Sequence, residues 1–213
     1  MMLMYKRLFL LCLLMALCTV GTFAQTAREV LDATAAQFNS RGGVRTKFKA
    51  TQFSGTTPQD EATGTLLLRG QQFQVKTAEM TVWYDGKTQW AMLTNSGEVN
   101  VTEPTEEERA AMNPSVLLNI YKKGYSLSLR KTSLRGKPTF EVYLRAKNKK
   151  AAFSEIYVDV EQGTYTPLCF RAKKDGDWMR LSIYAFQTGT KLSDDTFAFP
   201  EKDFPDVEVI DLR

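Results

Sequence analysis

Beyond residue 44 the chain alternates apolar and polar positions, segment after segment. Val44, Thr46, Phe48 and Ala50 alternate with Arg45, Lys47 and Lys49, while Leu127 and Leu129 alternate with serines. Phe140, Val142 and Leu144 alternate with Glu141, Tyr143 and Arg145. Ile156, Val158 and Val160 are interleaved with Tyr157 and Asp159, and Met179, Leu181, Ile183 and Ala185 repeat the pattern. A period of two is the mark of a strand with one buried face. Turn pairs separate the segments: Asp85-Gly86, Ser96-Gly97, Arg135-Gly136, Gln162-Gly163 and Asp175-Gly176. The pattern predicts an α+β fold built on an antiparallel sheet of roughly ten strands, curled toward an incomplete β-barrel.

Two stretches depart from that rhythm. Over residues 28–39, Val30, Leu31, Thr34, Ala35 and Phe38 recur at helical spacing, and Gly42-Gly43 ends the run. Residues 103–125 read as two short helices inserted between strands. Thr105 with Glu108 makes a capping box for the first, and Asn113-Pro114 starts the second. Gly124 follows Lys122-Lys123 as its C-terminal stop. A helical pair over the concave side of a half-closed barrel would plug it or serve as its lid.

The N-terminus bears on the compartment. Lys6 and Arg7 precede an apolar run from Leu8 to Val20, and Gly21-Thr22-Phe23-Ala24 supplies small residues for cleavage. Residues 1–24 are therefore expected to be a signal peptide, with the cut after Ala24, and residues 25–213 a single exported domain. Cys12 and Cys18 both follow leucine, which makes each a poor lipidation site. The leader takes Lys6 and Arg7 out of 28 basic residues and none of the 24 acidic ones, leaving a net charge of +2. That balance does not call for nucleic acid. Cys169 would then be the one remaining cysteine, without a partner for an internal disulfide.

The chemistry available is narrow. Histidine is absent, which removes Ser-His-Asp and Cys-His nucleophilic sites and histidine-ligated metals. Glu103, Glu106, Glu107 and Glu108 gather near a helix start, where the macrodipole favours negative charge without any ligand. Strand acids alternate away from the buried face. The expectation is no catalytic residues, no metal and no cofactor.

The stretch Met80-Thr81-Val82-Trp83-Tyr84-Asp85-Gly86-Lys87-Thr88-Gln89-Trp90 concentrates aromatic residues around a hairpin turn. A four-residue loop at 85–88 would pair Trp83 with Trp90, whereas a two-residue loop would place Trp83 opposite Thr88. In either register we expect Met80, Val82, Trp90 and Met92 to cluster beside the lid. Met and aromatic side chains suit a pliable ligand surface.

Asp85-Gly86-Lys87-Thr88-x-Trp90 resembles the Asp-Gly-Lys-Thr-x-Trp hairpin of the periplasmic outer-membrane lipoprotein carriers, the LolA-like proteins. The exported leader, the N-terminal helix, a Gly64-led strand ending in Arg69, the helical insertion and a closing Phe197-x-Phe199-Pro200 before Val-Glu-Val-Ile-Asp-Leu follow that family's order. One departure stands out. The family's Arg-Pro-x-x-Phe reads here Arg69-Gly70-Gln71-Gln72-Phe73.

The resemblance implies a non-enzymatic carrier that holds acyl chains of lipidated proteins in an apolar cavity and delivers them toward the outer membrane. It implies an inner-membrane release complex as donor, an outer-membrane acceptor and a monomeric protein. The lining expected from alternation and resemblance together is Phe48, Leu66, Leu68, Phe73, Val75, Met80, Val82, Trp90, Met92, Leu117, Ile120 and Tyr121. Arg69 is expected as a lid latch, its guanidinium reaching the helix end near Tyr121. A lipid-binding sensor, or a carrier of another amphiphile on the same fold, is the alternative.

Overall fold

The computed structural model of the chain describes residues 25–39, 42–105, 108–109, 121–122 and 124–213. The leader therefore lies outside the described residues. Helix α1 is Ala27–Phe38. Thr26 caps it in a box with Glu29: the Glu29 N–H donates to Thr26 Oγ1 at 3.2 Å, and the Thr26 N–H donates to the Glu29 carboxylate at 2.8 Å. Val30, Leu31, Thr34 and Phe38 form its buried face.

Among the described residues twelve strands follow. They are β1 (Val44–Ser54), β2 (Thr57–Arg69), β3 (Gln72–Thr77), β4 (Met80–Tyr84), β5 (Gln89–Leu93) and β6 (Glu98–Thr102). The second set is β7 (Tyr125–Leu134), β8 (Lys137–Ala146), β9 (Glu155–Glu161), β10 (Pro167–Lys174), β11 (Asp177–Thr188) and β12 (Glu208–Asp211). They form one sheet in the order β12-β6-β5-β4-β3-β2-β1-β11-β10-β9-β8-β7. The sheet is curved and its ends do not pair, so the barrel stays open.

Two features differ from expectation. The sheet holds twelve strands rather than about ten, and it is not wholly antiparallel, because β12 lies parallel to β6, with Val209 opposite Val99. A parallel neighbour needs a long return. Residues 189–207 supply it, crossing the sheet through short 3-10 turns at Asp194–Phe197 and Glu201–Asp203.

Alternation sorts the side chains onto two faces. The inner face is the one α1 packs against, and it carries the main core: Val44, Phe48, Leu66, Leu68, Phe73, Val82, Val142, Ile156, Val158 and Ile183 join Val30, Leu31 and Phe38. Phe38 meets Phe186 of β11 edge to face at 5.2 Å. Gly64 keeps β2 tight beside its neighbours. A Cβ there would meet the Lys76 carbonyl at 2.3 Å and Phe48 Cζ at 2.9 Å.

The turn between β2 and β3 accounts for the departure at Arg69-Gly70. Arg69 pairs with Gln72, leaving a two-residue loop whose first position, Gly70, has φ +62°. Proline is locked near −65° and cannot adopt that angle.

Of the expected helical pair, the first cap is present. The Thr105 N–H donates to Glu108 Oε2 at 2.8 Å, the Glu108 N–H donates to Thr105 Oγ1 at 3.3 Å, and Glu108 and Arg109 are helical. The second helix, with Asn113, Leu117 and Ile120, lies outside the described residues.

Candidate functional site

Cross-strand register assembles an apolar row on the inner face. Leu66 on β2 stands opposite Val75, Val75 opposite Val82, and Val82 opposite Ala91. A second row runs from Val44 through Leu68 and Phe73 to Tyr84. Phe48, Leu66, Leu68, Phe73, Val75, Met80, Val82 and Tyr121 all belong to the inner cluster.

Exposure divides this set. Phe73 and Val82 are 0 % exposed, Leu68 1 % and Leu66 2 %, so these form the floor. Val75 and Met80 remain half-open, as do Ala50, Ala91, Met179 and Leu181, which the sequence reading omitted. Leu181 lies opposite Ala50. For Ala50 the signal was available in its parity with Phe48, whereas Ala91 has the opposite parity to Trp90 and Met92, the β5 residues named instead.

Trp90 and Met92 need correction. The hairpin uses the four-residue loop, with Trp83 opposite Trp90 and Tyr84 opposite Gln89. Asp85 Oδ1 accepts the Lys87 and Thr88 N–H groups, each at 2.8 Å, and the Asp85 N–H donates to the Thr88 carbonyl at 3.2 Å. In that register Trp90 and Met92 share the face of Trp83, opposite to Val82. They pack in a separate outer cluster with Trp83, Val99, Phe199, Phe204 and Val207. Trp83 meets Phe199 edge to face at 5.4 Å and Phe204 at 6.5 Å, and Phe199 stacks on Phe204 at 5.6 Å. These indoles hold the returning C-terminal segment to the back of the sheet.

Arg69 also serves that segment. It follows Leu68 and so points to the outer face. Its Nη1 donates to the Leu192 carbonyl at 2.6 Å, and its Nε and Nη2 donate to Gln72 Oε1 at 3.1 and 2.8 Å. Nη2 also pairs with Asp194, and the guanidinium lies 5.2 Å from the centre of the Phe197 ring. The expected latch to the helix end at Tyr121 is not what this side chain makes, because strand parity turns it away from the inner face.

Tyr121 has a different anchor. It is 1 % exposed, and its hydroxyl donates to Asp32 on α1, with the Arg28 guanidinium 5.6 Å from its ring. Burial, and then the bond to Asp32, push its phenol up to about 12. The C-terminal end of the insertion is thus tied to α1.

Charged strand residues lie on the outer face, as their alternation predicts. Glu141, 6 % exposed, accepts from Arg130 Nε at 2.5 Å and from Arg171 Nη2 at 2.7 Å. Burial opposes its ionisation, but the two arginines hold its carboxyl below the usual range. Asp159 accepts from Arg171 at a longer 3.3 Å, and burial raises its carboxyl. Among the described residues no group of three acids or cysteines is arranged to hold a metal ion, and no helix is long and apolar enough to cross a membrane.

Comparison with known proteins gives a family and a fold. The sequence profile described as "Outer membrane lipoprotein carrier protein LolA" matches residues 17–177. Comparison with curated protein sequences gives no match. Among solved structures, an uncharacterised conserved protein from Thermus thermophilus is similar over 88 % of this chain and 99 % of its own, with 13 % identity and a TM-score of 0.59. LprF from Mycobacterium bovis is similar over 82 % of this chain and 96 % of its own, at 11 % identity and a TM-score of 0.50. The LolA superfamily protein NE2245 from Nitrosomonas europaea covers 83 % of this chain and 99 % of its own, with 11 % identity and a TM-score of 0.43. At these identities the likeness is one of fold.

Proposed function

The chain belongs to the LolA family of outer membrane lipoprotein carrier proteins, and from that premise we propose that it is a periplasmic carrier of acylated proteins. In this reading residues 1–24 are an export leader, and residues 25–213 shelter acyl chains against the inner face on the way to the outer membrane. One observation supports it above the rest: Ala50, Val75, Met80, Ala91, Met179 and Leu181 are apolar, only half-buried, and packed against the same inner core cluster. A core has no need to leave such side chains open, whereas a hydrocarbon chain would cover them.

Magnitudes constrain how such a carrier works. Each buried methylene is worth about 0.8 kcal/mol, so three chains of roughly 15 carbons represent on the order of 30 kcal/mol. No ATP is at hand in the periplasm, so the face must hold the chains less well than a bilayer does. Small side chains such as Ala50 and Ala91, with flexible Met80 and Met179, give a shallow surface that repacks cheaply. The segment at 105–123, with Leu117 and Ile120, is proposed as the lid. The two helices that its sequence suggests would each be too short to be stable without packing.

An inner-membrane donor complex and an outer-membrane acceptor complete the proposal. Native mass spectrometry of the protein taken from its own periplasm tests it. Adducts with the mass of acylated peptides or lipids are the expected result; a protein that is always empty counts against the reading.

A further inference from the structure

We propose that the outer face carries a second site, separate from the acyl-binding face, that takes a small organic anion with a flat apolar body. The site is a recess of about 430 Å³ over β1, β7, β9, β10 and β11, walled by Phe53, Tyr157 and Trp178 and by the guanidiniums of Arg130, Arg171 and Arg180, with Met179 at its border. Its size falls within the range of small-molecule pockets, roughly 300 to 1,000 Å³. The lining residues bring three positive charges and no carboxylate.

The arginines are already arranged for a ligand. Arg171 lies 4.5 Å from the centre of the Tyr157 ring, and Arg180 lies 4.9 Å from that of Phe53. Stacking on a ring fixes the plane of a guanidinium while leaving its edge free, and that edge matches a carboxylate or phosphate. Trp178 stands 5.8 Å from Tyr157 with the two rings tilted by 45°, so they offer an angled apolar wall beside the charges.

The neighbouring acids do not use up the donors. Glu141 accepts from Arg130 and Arg171, and Asp159 accepts from Arg171. Both the Arg171 Nε and the Arg180 Nε are nonetheless buried without an acceptor among the described residues. Native structures rarely leave such donors unmet, so these two guanidiniums are incompletely paired, and an anion in the recess would add charge pairing at their Nη ends. Planarity and charge together select the ligand class. A neutral hydrocarbon would add no acceptor beside Arg171 and Arg180, whose Nε donors lack one, and a bare inorganic anion would leave the aromatic wall wet.

Calorimetric titration of the purified protein with 2-naphthoate and with 2-naphthyl phosphate tests the assignment. One saturable site is expected, and neutral 2-naphthol should bind about ten-fold more weakly. Arg180→Gln should weaken 2-naphthoate about ten-fold, and Arg180→Lys, which keeps the charge but loses the fork, should fall in between. Should Arg180→Gln fail to fold, Arg130→Gln carries the test, since its side chain is 70 % exposed. It should fold normally and bind roughly three-fold more weakly.

Four results would overturn the site: no binding, equal binding of 2-naphthol, no effect of any arginine variant, or displacement of 2-naphthoate by palmitate. The last would place the probe on the inner face instead. An acidic tryptophan-containing tetrapeptide binding about ten-fold more tightly than 2-naphthoate would also overturn it, in favour of a peptide-docking surface.

Discussion

Strands β4 and β5 carry large apolar side chains on both faces, and the two faces are closed in different ways. On the outer face Trp83 is buried, and with the partly buried Trp90 and Met92 it packs against Phe199, Phe204 and Val207 of the same chain. On the inner face Val82 is sealed, but Met80, Ala91 and the adjacent Val75 stay half-open. Within a few residues the sequence thus builds two partly open apolar surfaces, the outer packed against the returning segment of the chain and the inner continuous with the main core. The difference teaches where to look for a ligand: an aromatic cluster that has found a partner segment is structure, and a half-open row beside the core is a candidate surface.

Trp83→Ala should show the largest effect. Its indole is 4 % exposed, and truncating it in the outer cluster should cost about 3–5 kcal/mol of stability. Denaturant unfolding measures the loss, and the molecules that still fold should load acyl chains normally. Reduced loading per folded molecule would break the division between the faces.

Val75→Glu should have the converse effect. A carboxylate in the half-open row costs little to folding, about 1 kcal/mol, because water can reach it. It should lower binding of a fluorescent fatty acid about ten-fold, since the chain would have to cover a charge. Unchanged binding by the folded variant would remove Val75 from the surface.

Arg69→Gln sharpens the comparison further. It loses the bonds to Leu192 and Gln72 and should cost about 1–2 kcal/mol. Hydrogen exchange should quicken first over 192–197, with cargo binding and release both unchanged. A defect confined to release would restore the latch that the structure assigns elsewhere.

Asp194→Asn should be the smallest change, below about 0.5 kcal/mol by the same unfolding measurement. Asp194 is 86 % exposed on its side chain, so its ion pair with Arg69 is well screened. A larger loss would mean that the outer segment depends on that pair rather than on its aromatics.

Much of the fold was legible because period-two alternation in Phe140–Leu144 or Ile156–Val160 has one physical reading, a strand with a single buried face. The turns were legible for a similar reason: Arg135 and Gly136 both take positive φ, at 52° and 77°, as Asp175 and Gly176 do at 53° and 99°.

Partnership across long sequence separations was not legible. Arg69 reaches Leu192, 123 residues away, and no local pattern announces that bond. Trp90 and Met92 were placed with Met80 and Val82 although parity argued otherwise: with Trp83 opposite either Trp90 or Thr88, even-numbered residues of β5 fall on the face of Trp83. A usable clue lay further on. Phe197, Phe199 and Phe204 stand beside prolines in a stretch without strand alternation, and such aromatics need something to cover. β12 was visible as an apolar segment, but its parallel seat beside β6 depends on the path of the whole return.

The central claim, that acyl chains lie on the inner face and not against the indoles, has a direct measurement. The protein is loaded with a diazirine-bearing fatty acid, irradiated, and the labelled residues are mapped by mass spectrometry. The account expects label at Val75, Met80, Ala91 or Leu181, and none at Trp83, Trp90 or Met92. Label concentrated on those outer residues, or spread evenly over both faces of β4 and β5, would contradict it.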